Sequence, residues 1–554
     1  MDGPRSDPKG GFVNRSYRHA LKRLAPATAL VVAAGLSASG LASGSAAAET
    51  PAPALKLVVP TSQQTVDRYA GEPVYLYDLG VYAVAEQAAF EIRTLRGKSY
   101  RDPINATLTV GEGASKTTTT LPSTLFANVN DLNKFFEFTI TNKSGKVVKA
   151  GKLGFCPNSY TAARAVPTGA ATSPYPQECS SHPFARGSVL GIQRGWSVPA
   201  LGDFRSPPSF KGADGAYTIH MLIRAPWRKA LGLPKATSGG SVKINVKTVK
   251  NDGKGGTASV TSQHSMAAMP GMAGMEDAAA SGPLSPQHAA MERARQKALG
   301  KANQPHTSAP TSTLRPADVA AEPRPDLRSL PAYQIQLSRT DGNGHPTKKT
   351  YLNFGATVWN AGPSPLVVDG FRIKDTKEMD AYQYFYDDNG NEVGSAPAGG
   401  LQWDPRPGHH HWHFKAFATY RLLNSTRTLT ERSGKEAFCL APTDAINLNT
   451  ENANWKPAST DLSTACGSEG ALSIREVLDT GWGDTYGQYL PGQSFNVTNL
   501  ANGVYYIEVL ANPDHKLAES NVNNNSALRK IRIGGTVGGK RTLKVYDYAG
   551  IKAP

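Results

Sequence analysis

Four of the chain's twelve histidines stand within five residues, in the run "RPGHHHWHFKAF" from Arg406 to Phe417. In a β-strand the side chains at i, i+2 and i+4 share one face. The spacing therefore predicts His409, His411 and His413 on one side of a strand, with His410 and Trp412 on the other. Three imidazoles roughly 6.5–7 Å apart at Cα can converge on one ion by choice of rotamer. Neutral imidazole suits copper, zinc, iron and nickel, and three protein ligands leave coordination positions open for chemistry. A single buried histidine is usually structural, but three at this alternation predict a metal centre with His410 as a bystander. Zinc with an activated water would make a hydrolase and calls for a carboxylate base. No Glu follows the histidines closely enough to supply one from the same strand. Copper would bring oxygen chemistry.

The elements that must position these residues read as short strands. Alternating runs such as "LKLVVP", "EPVYLYDL", "FFEFTIT" and "GSVKINVKTV" fill the first half. "YLNFGATVWNAG", "FKAFATYRLL", "GVYYIEVL" and "SALRKIRIGG" fill the second. Turn residues punctuate both sets, and long helical periodicity is absent. The expected fold is mostly β: two tandem antiparallel β-sandwich-like domains joined by a flexible Met/Ala/Pro-rich linker. The boundaries fall at 1–48 for a leader, 49–261 for the first domain, 262–323 for the linker and 324–554 for the second domain. The linker opens with Met266, Met269, Met272 and Met275 at a spacing of three, half of the chain's eight methionines. Thioether sulfur is a soft ligand for Cu(I), so this tract reads either as plain apolar linker or as a copper-loading segment.

The halves also resemble each other. "GKLGFC" (Gly151–Cys156) parallels "GKEAFC" (Gly434–Cys439), and each is followed by a second cysteine and then Gly-Trp (Gly195-Trp196 and Gly481-Trp482). Ser-Phe (Ser209-Phe210 and Ser494-Phe495) follows, and then "DGAYTIHMLI" and "NGVYYIEVLA". A shared order over this length predicts an internal duplication.

The first fifty residues carry scattered basic residues, the apolar run "ATALVVAAGLSASGLA" and the small-residue stretch "SGSAAAET". These are the parts of a secretory signal peptide, with cleavage expected after Ala48. No later apolar run is long enough to cross a bilayer as a helix, so the expectation is a secreted, extracellular or cell-wall-associated protein without a transmembrane segment. In that setting four cysteines in two local pairs predict the disulfides Cys156–Cys179 and Cys439–Cys466. Net charge is +16, and the leader holds six basic and two acidic residues, which leaves +12 on the remainder. This balance favours anionic cell-wall polymers as neighbours. The charges are scattered and no nucleic-acid motif is present, so nucleic acid is not an expected partner.

Four motifs, in order, resemble the catalytic domain of the lysyl oxidases, copper amine oxidases with a self-made quinone cofactor. They are "HHHWHFKAFATYRLL", "SGKEAFCL", "GDTYG" and "NPDHKLAESNVNNN". The resemblance runs from about Pro325 to Gly535. It implies copper at His409, His411 and His413, and a lysyl tyrosylquinone made from Lys435 and Tyr486 as the catalytic group. The implied reaction converts a primary amine, free or on a lysine-containing protein, to an aldehyde, consuming dioxygen and releasing ammonia and hydrogen peroxide. Asp484 would share the Tyr486 strand face and is a candidate base or orienting group. The resemblance also implies a calcium site at Asp326, the Leu327 carbonyl, Glu519, Asn521, Asn524 and Asn525, for which oxygen ligands are apt. Asn521 stands where the family usually has Asp, which removes a charge. Gly408 stands where the animal enzymes carry a cysteine.

The first half keeps Lys152 and Cys156 but has Ala200 near the tyrosine's place and no histidine in "NVNDLNKFF". It is expected to be a non-catalytic domain that packs on the second half or docks its substrate. The competing reading is a non-enzymatic surface protein in which one β-sandwich binds copper. "DTYG" favours the enzyme, because sequestration has no use for that tyrosine.

Overall fold

The computed structural model describes residues 55–551, apart from 61, 78, 112–115, 202–206, 250–304, 315–317, 319–322, 341–345, 388–389, 406–409, 416, 436, 458–463, 491 and 549. The expected leader, the methionine tract 266–275 and His409 lie outside the described residues. The chain is mostly β and its sheets are antiparallel except where, among the described strands, Gln63–Tyr69 runs parallel to Gly239–Val249. Strands form where β-branched and aromatic residues alternate with polar ones. Gly215–Ile223 buries every second residue from Tyr217 onward. Among the described residues no helix is long and apolar enough to cross a membrane.

Sheet for sheet, the halves share one plan. In the first, Lys56–Val58, Tyr82–Ala85, Trp196–Pro199 and Ala163–Arg164 lie side by side. In the second the order is Leu327–Ser329, Pro346–Asn360, Trp482–Tyr486 and Asp444–Ala445. Another sheet runs Gly187–Ile192, Phe90–Leu95, Asn105–Val110, Thr117–Leu121, against Ser473–Leu478, Leu366–Arg372, Glu378–Tyr386, Glu392–Asp404. A third runs Val147–Phe155, Leu132–Asn142, Gly215–Ile223, Gly239–Val249, against Leu429–Arg432, Ala418–Leu423, Gly503–Ala511, Ser526–Gly535. Of the repeated motifs, Gly-Trp and the runs "DGAYTIHMLI" and "NGVYYIEVLA" fall on matching strands, Trp196–Pro199 with Trp482–Tyr486 and Gly215–Ile223 with Gly503–Ala511. By contrast, "GKLGFC" lies in the third sheet and "GKEAFC" at the edge of the second. One difference bears on chemistry: the second half extends its second sheet by His411–Lys415 and Ala437–Phe438. Among the described residues, the first half has no strand in the histidine strand's place.

Residues 52–554 form one compact unit. Each half has its own apolar core, and two smaller clusters join them. Tyr175 and Val189 pack on Ala445, Leu448 and Trp482, and Phe184 packs on Leu330, Trp359 and Ile446. Burial of side chains this size contributes about 1.5–3 kcal/mol each. Backbone hydrogen bonds run through the same seam: Arg186 N–H to the Ile446 carbonyl at 2.6 Å, and Leu448 N–H to the Gly187 carbonyl at 3.1 Å. From the segment expected as linker, His306 lies stacked on Tyr384 at 4.1 Å, and Leu314 donates its N–H to the Ser395 carbonyl. That end of the segment is therefore docked on the second half. Cys156–Cys179 and Cys439–Cys466 are both disulfide-bonded.

Candidate functional site

His411–Lys415 is a strand, and it pairs with Glu392–Asp404 so that Asp404 lies opposite His411 and Gln402 opposite His413. His411 and His413 are both buried, and their Nε2 atoms approach to 2.8 Å. The Asp404 carboxylate lies 3.3 Å from Nδ1 of His413, the kind of partner that fixes an imidazole's tautomer and aims its other nitrogen. Trp412 takes the opposite face, its indole N–H donating to the Ser468 carbonyl and its backbone N–H to the Cys466 carbonyl. His410 is exposed and takes a left-handed backbone conformation, φ +38°, just before the strand.

The next element is built against this strand. Ala437–Phe438 pairs with Phe414–Lys415, which brings Lys435 to the edge of the histidine strand. Gly492 backs the lysine's main chain closely, since a Cβ there would lie 2.9 Å from the Lys435 backbone nitrogen. The third element, Trp482–Tyr486, pairs with Pro346–Asn360 and places Tyr486 opposite Ala356. It is launched from Gly481 at φ +85°, where a Cβ would meet the Asn447 carbonyl at 2.6 Å.

These elements bring Lys435 and Tyr486 together. The Lys435 Nζ stands 4.3 Å from the centroid of the Tyr486 ring, and the two residues are 3% and 4% exposed. The Tyr486 hydroxyl accepts a hydrogen bond from the Cys439 N–H at 3.0 Å and lies 3.2 Å from the Cys439 carbonyl, to which it donates. Phe438 meets the same ring edge-on at 5.1 Å. Burial pushes the Tyr486 hydroxyl pKa well up, and Asp484, Tyr420 and Glu476 push it further.

Two carboxyls complete the cluster. Asp484 is buried, and neither of its oxygens has a hydrogen-bond partner of normal geometry among the described residues. Burial raises its pKa well above the carboxylate range, opposed by Lys435 and by the Ala441 amide. Glu476 is fully buried on the Ser473–Leu478 strand. One oxygen accepts the Leu440 N–H at 2.9 Å and the other has no partner among the described residues. Burial raises its pKa too, and the Leu440 amide and Lys435 pull against it. Sequence reasoning passed over Glu476 and Asp404. A carboxylate inside the apolar run "SIREVL" is the signal that pointed to the first. Nothing in the sequence marks Asp404 apart from its place one turn before the histidines.

Copper is the ion implied for this centre, and the residues fit it. Two imidazole nitrogens aim at one point in a buried setting with a carboxylate behind one ring, an arrangement suited to a shared cation. Among the described residues no cluster of three or more His, Cys, Asp and Glu is arranged for a metal. The expected third ligand, His409, lies outside them.

The residues expected to hold calcium do not fit that ion as placed. Asp326, Leu327, Glu519, Asn524 and Asn525 are brought together, but the carboxylates are already engaged. Asp326 takes the Arg328 guanidinium at 2.7 Å and the Asn524 amide at 2.9 Å. Glu519 takes the Leu327 N–H and the Asn512 and Asn525 amides. The side-chain oxygens of Asn524 and Asn525 are the buried acceptors here without a partner among the described residues, whereas calcium wants six to eight oxygens. Asn521 accepts the Asn523 N–H in its own turn. Arg328 is the cation of this cluster.

A β-rich domain with a histidine strand and a buried lysine–tyrosine pair defines a class, and comparison with known proteins gives the same one. Residues 388–538 match the family model for lysyl oxidase. Lysyl oxidase homolog 2A of Danio rerio is 27% identical over 245 residues, covering 41% of this chain and 27% of its own length. Human lysyl oxidase homolog 2 is 29% identical over 131 residues, 23% of this chain and 15% of its own. Lysyl oxidase homolog 4 of Mus musculus is 27% identical over 129 residues, with the same two shares. The matched part thus spans 27% or less of these relatives. Among solved structures, dimeric latent PorU from Porphyromonas gingivalis aligns over 89% of this chain and 34% of its own at 7% identity, with a TM-score of 0.10 that carries no argument. The second half of the chain is thus similar to the lysyl oxidases, with the family model matched over residues 388–538.

Proposed function

We propose that this protein is an exported copper-dependent amine oxidase that converts primary amines, lysine side chains of proteins among them, to aldehydes, with ammonia and hydrogen peroxide released. The observation that carries this reading is the Lys435 nitrogen 4.3 Å over the Tyr486 ring in a site closed to water. Copper held by His409, His411 and His413 would supply oxygenation of that ring, and the lysyl tyrosylquinone formed from the pair would supply a carbonyl and an electron sink for amine oxidation.

The protein's own groups do the positioning and the proton handling. The Cys439 backbone grips the tyrosine hydroxyl from both sides and Phe438 sets the ring plane. Lys435 must shed a proton before its nitrogen can bond to a ring carbon, and Asp484 and Glu476 are the buried carboxyls near enough to influence it. In its ionised form such a carboxyl can take the proton that the amine releases. No role for calcium is included, because Arg328 already neutralises Asp326.

The test is peptide mass spectrometry on copper-loaded, aerated protein. A cross-link between the Lys435 and Tyr486 peptides, with the mass of an oxygenated ring, is expected. Both peptides unmodified at full copper occupancy would leave a copper-binding β-protein without the oxidase chemistry.

A further inference from the structure

The first half reaches the cofactor strand through one side chain. His182 is buried at the seam, in the turn that also delivers Phe184 to Trp359 and Ile446. The Phe184 N–H donates to its Nδ1 at 3.1 Å, so Nδ1 is the bare nitrogen and the ring proton sits on Nε2. That Nε2 lies 2.9 Å from the Thr357 hydroxyl, to which it donates. Thr357 lies 2.8 Å from the Thr485 hydroxyl, its register partner across the sheet. A bond donated to Thr357 leaves its own proton to go to Thr485 or to the Tyr333 hydroxyl, its other partner at the seam. Thr485 is held from a third side, its N–H donating to the Thr443 hydroxyl at 2.8 Å.

Thr485 stands between Asp484 and Tyr486. Side chains alternate along a strand, so Thr485 faces the seam while its two neighbours face the catalytic cluster. The His182–Thr357–Thr485 chain is therefore a clamp on the back of the strand whose front carries the reacting ring. We propose that His182 is a positioning residue for Tyr486, and that the first half is a built-in part of the active site through this clamp. The proposal rests on the oxidase reading for its catalytic consequence, and on the seam geometry alone for its structural one. Burial lowers the His182 pKa to about 3, which keeps the ring neutral.

Two readouts separate these. In the copper-free full-length protein, amide hydrogen exchange is followed at residues 482–486 and, as an internal reference, at 503–511. H182L is expected to speed exchange about tenfold at 482–486, in keeping with loss of a buried hydrogen bond, and to leave 503–511 unchanged. H182Q, whose amide can donate where Nε2 does, is expected to return the rate to within about threefold of wild type. T485V removes only the last hydroxyl and should reproduce the Leu effect, which preserves the test if H182L does not fold. The yield of the Lys435–Tyr486 cross-link at full copper should fall and recover in the same order. Unchanged exchange at 482–486 in both H182L and T485V, or an increase spread equally over 503–511, would overturn the clamp. A wild-type protein that forms no cross-link would sink the oxidase reading, while the exchange data would still decide the clamp.

Discussion

At the scale of single residues, the argument turns on a carboxylic acid buried beside an amine. Asp484 lies two positions before Tyr486, on the same strand face, and its oxygens make no hydrogen bond of normal geometry among the described residues, with the Ala441 amide the backbone donor that acts on it. A buried carboxyl this poorly paired is costly, and such groups persist chiefly where function needs them. Accepting the proton that Lys435 must lose is a use that fits its place. D484N keeps the volume and removes the base. It is expected to bind copper at wild-type stoichiometry, since the histidine strand is untouched, and to form the cross-link at least about a hundredfold more slowly. A time course of cross-link mass at fixed copper content checks this. A rate within about threefold of wild type would transfer the role away from Asp484, with Glu476 next in line.

At the scale of elements, the site depends on three strands that are far apart in sequence, and the Cys439–Cys466 disulfide sits where they meet. Cys439 holds the Tyr486 hydroxyl through its backbone, and the Cys466 carbonyl accepts the N–H of Trp412, between the two described histidines. The bond closes a loop with a sequence separation of 27, for which loop entropy gives about 3–4 kcal/mol. Replacing both cysteines by Ala is expected to lower the melting temperature and weaken copper binding at the histidine strand. The same change at Cys156 and Cys179 should lower stability with copper affinity retained. Equal copper affinity in both double variants, by competition with a chelator, would remove the bridge from the metal site. Part of this arrangement was legible in the sequence: the strand from His411 on, though not over His410, which turns left-handed before it, and both disulfide pairs. Glu476 and Thr485 were hidden because alternation marks a strand with one wet face. Pro346–Asn360 alternates only at its start and is buried on both faces from Phe354 on. Trp482–Tyr486 is buried throughout. Strands covered on both sides lose the period-two signal, and their partners come from elements more than a hundred residues away. The calcium residues teach the reverse lesson. Their motifs were legible and most of them do converge, yet Arg328, next to Leu327 in the sequence, changes what the cluster can hold.

At the scale of the whole molecule, the seam buries two ionisable groups that oppose each other in their response to pH. Asp479 is buried behind Trp482, whose N–H donates to its backbone carbonyl, and one carboxylate oxygen accepts the Asn454 amide at 3.3 Å. Burial pushes its pKa from 3.8 up to about 7. Between those values the folded state keeps a proton that the unfolded chain has lost, so stability falls as pH rises through the window. The limit for one group is about 1.4 kcal/mol per pH unit. His182 has the opposite sign. Its pKa drops from 6.5 to about 3, so the unfolded chain binds a proton that the folded state does not, and stability falls as pH falls. Where the windows overlap, the two slopes cancel, and wild-type stability hides both. Substitution exposes them. D479N removes the falling slope, so its stability relative to wild type should improve by more than about 2 kcal/mol between roughly pH 4.5 and pH 7.5 and then level off. H182Q removes the rising slope, so its stability relative to wild type should improve as pH falls through the same range. Urea midpoints of the copper-free protein, taken across this range for both variants, check the pair. A D479N difference that stays constant with pH would mean that Asp479 is already ionised in the folded protein at the acid end, and that the seam admits water to it.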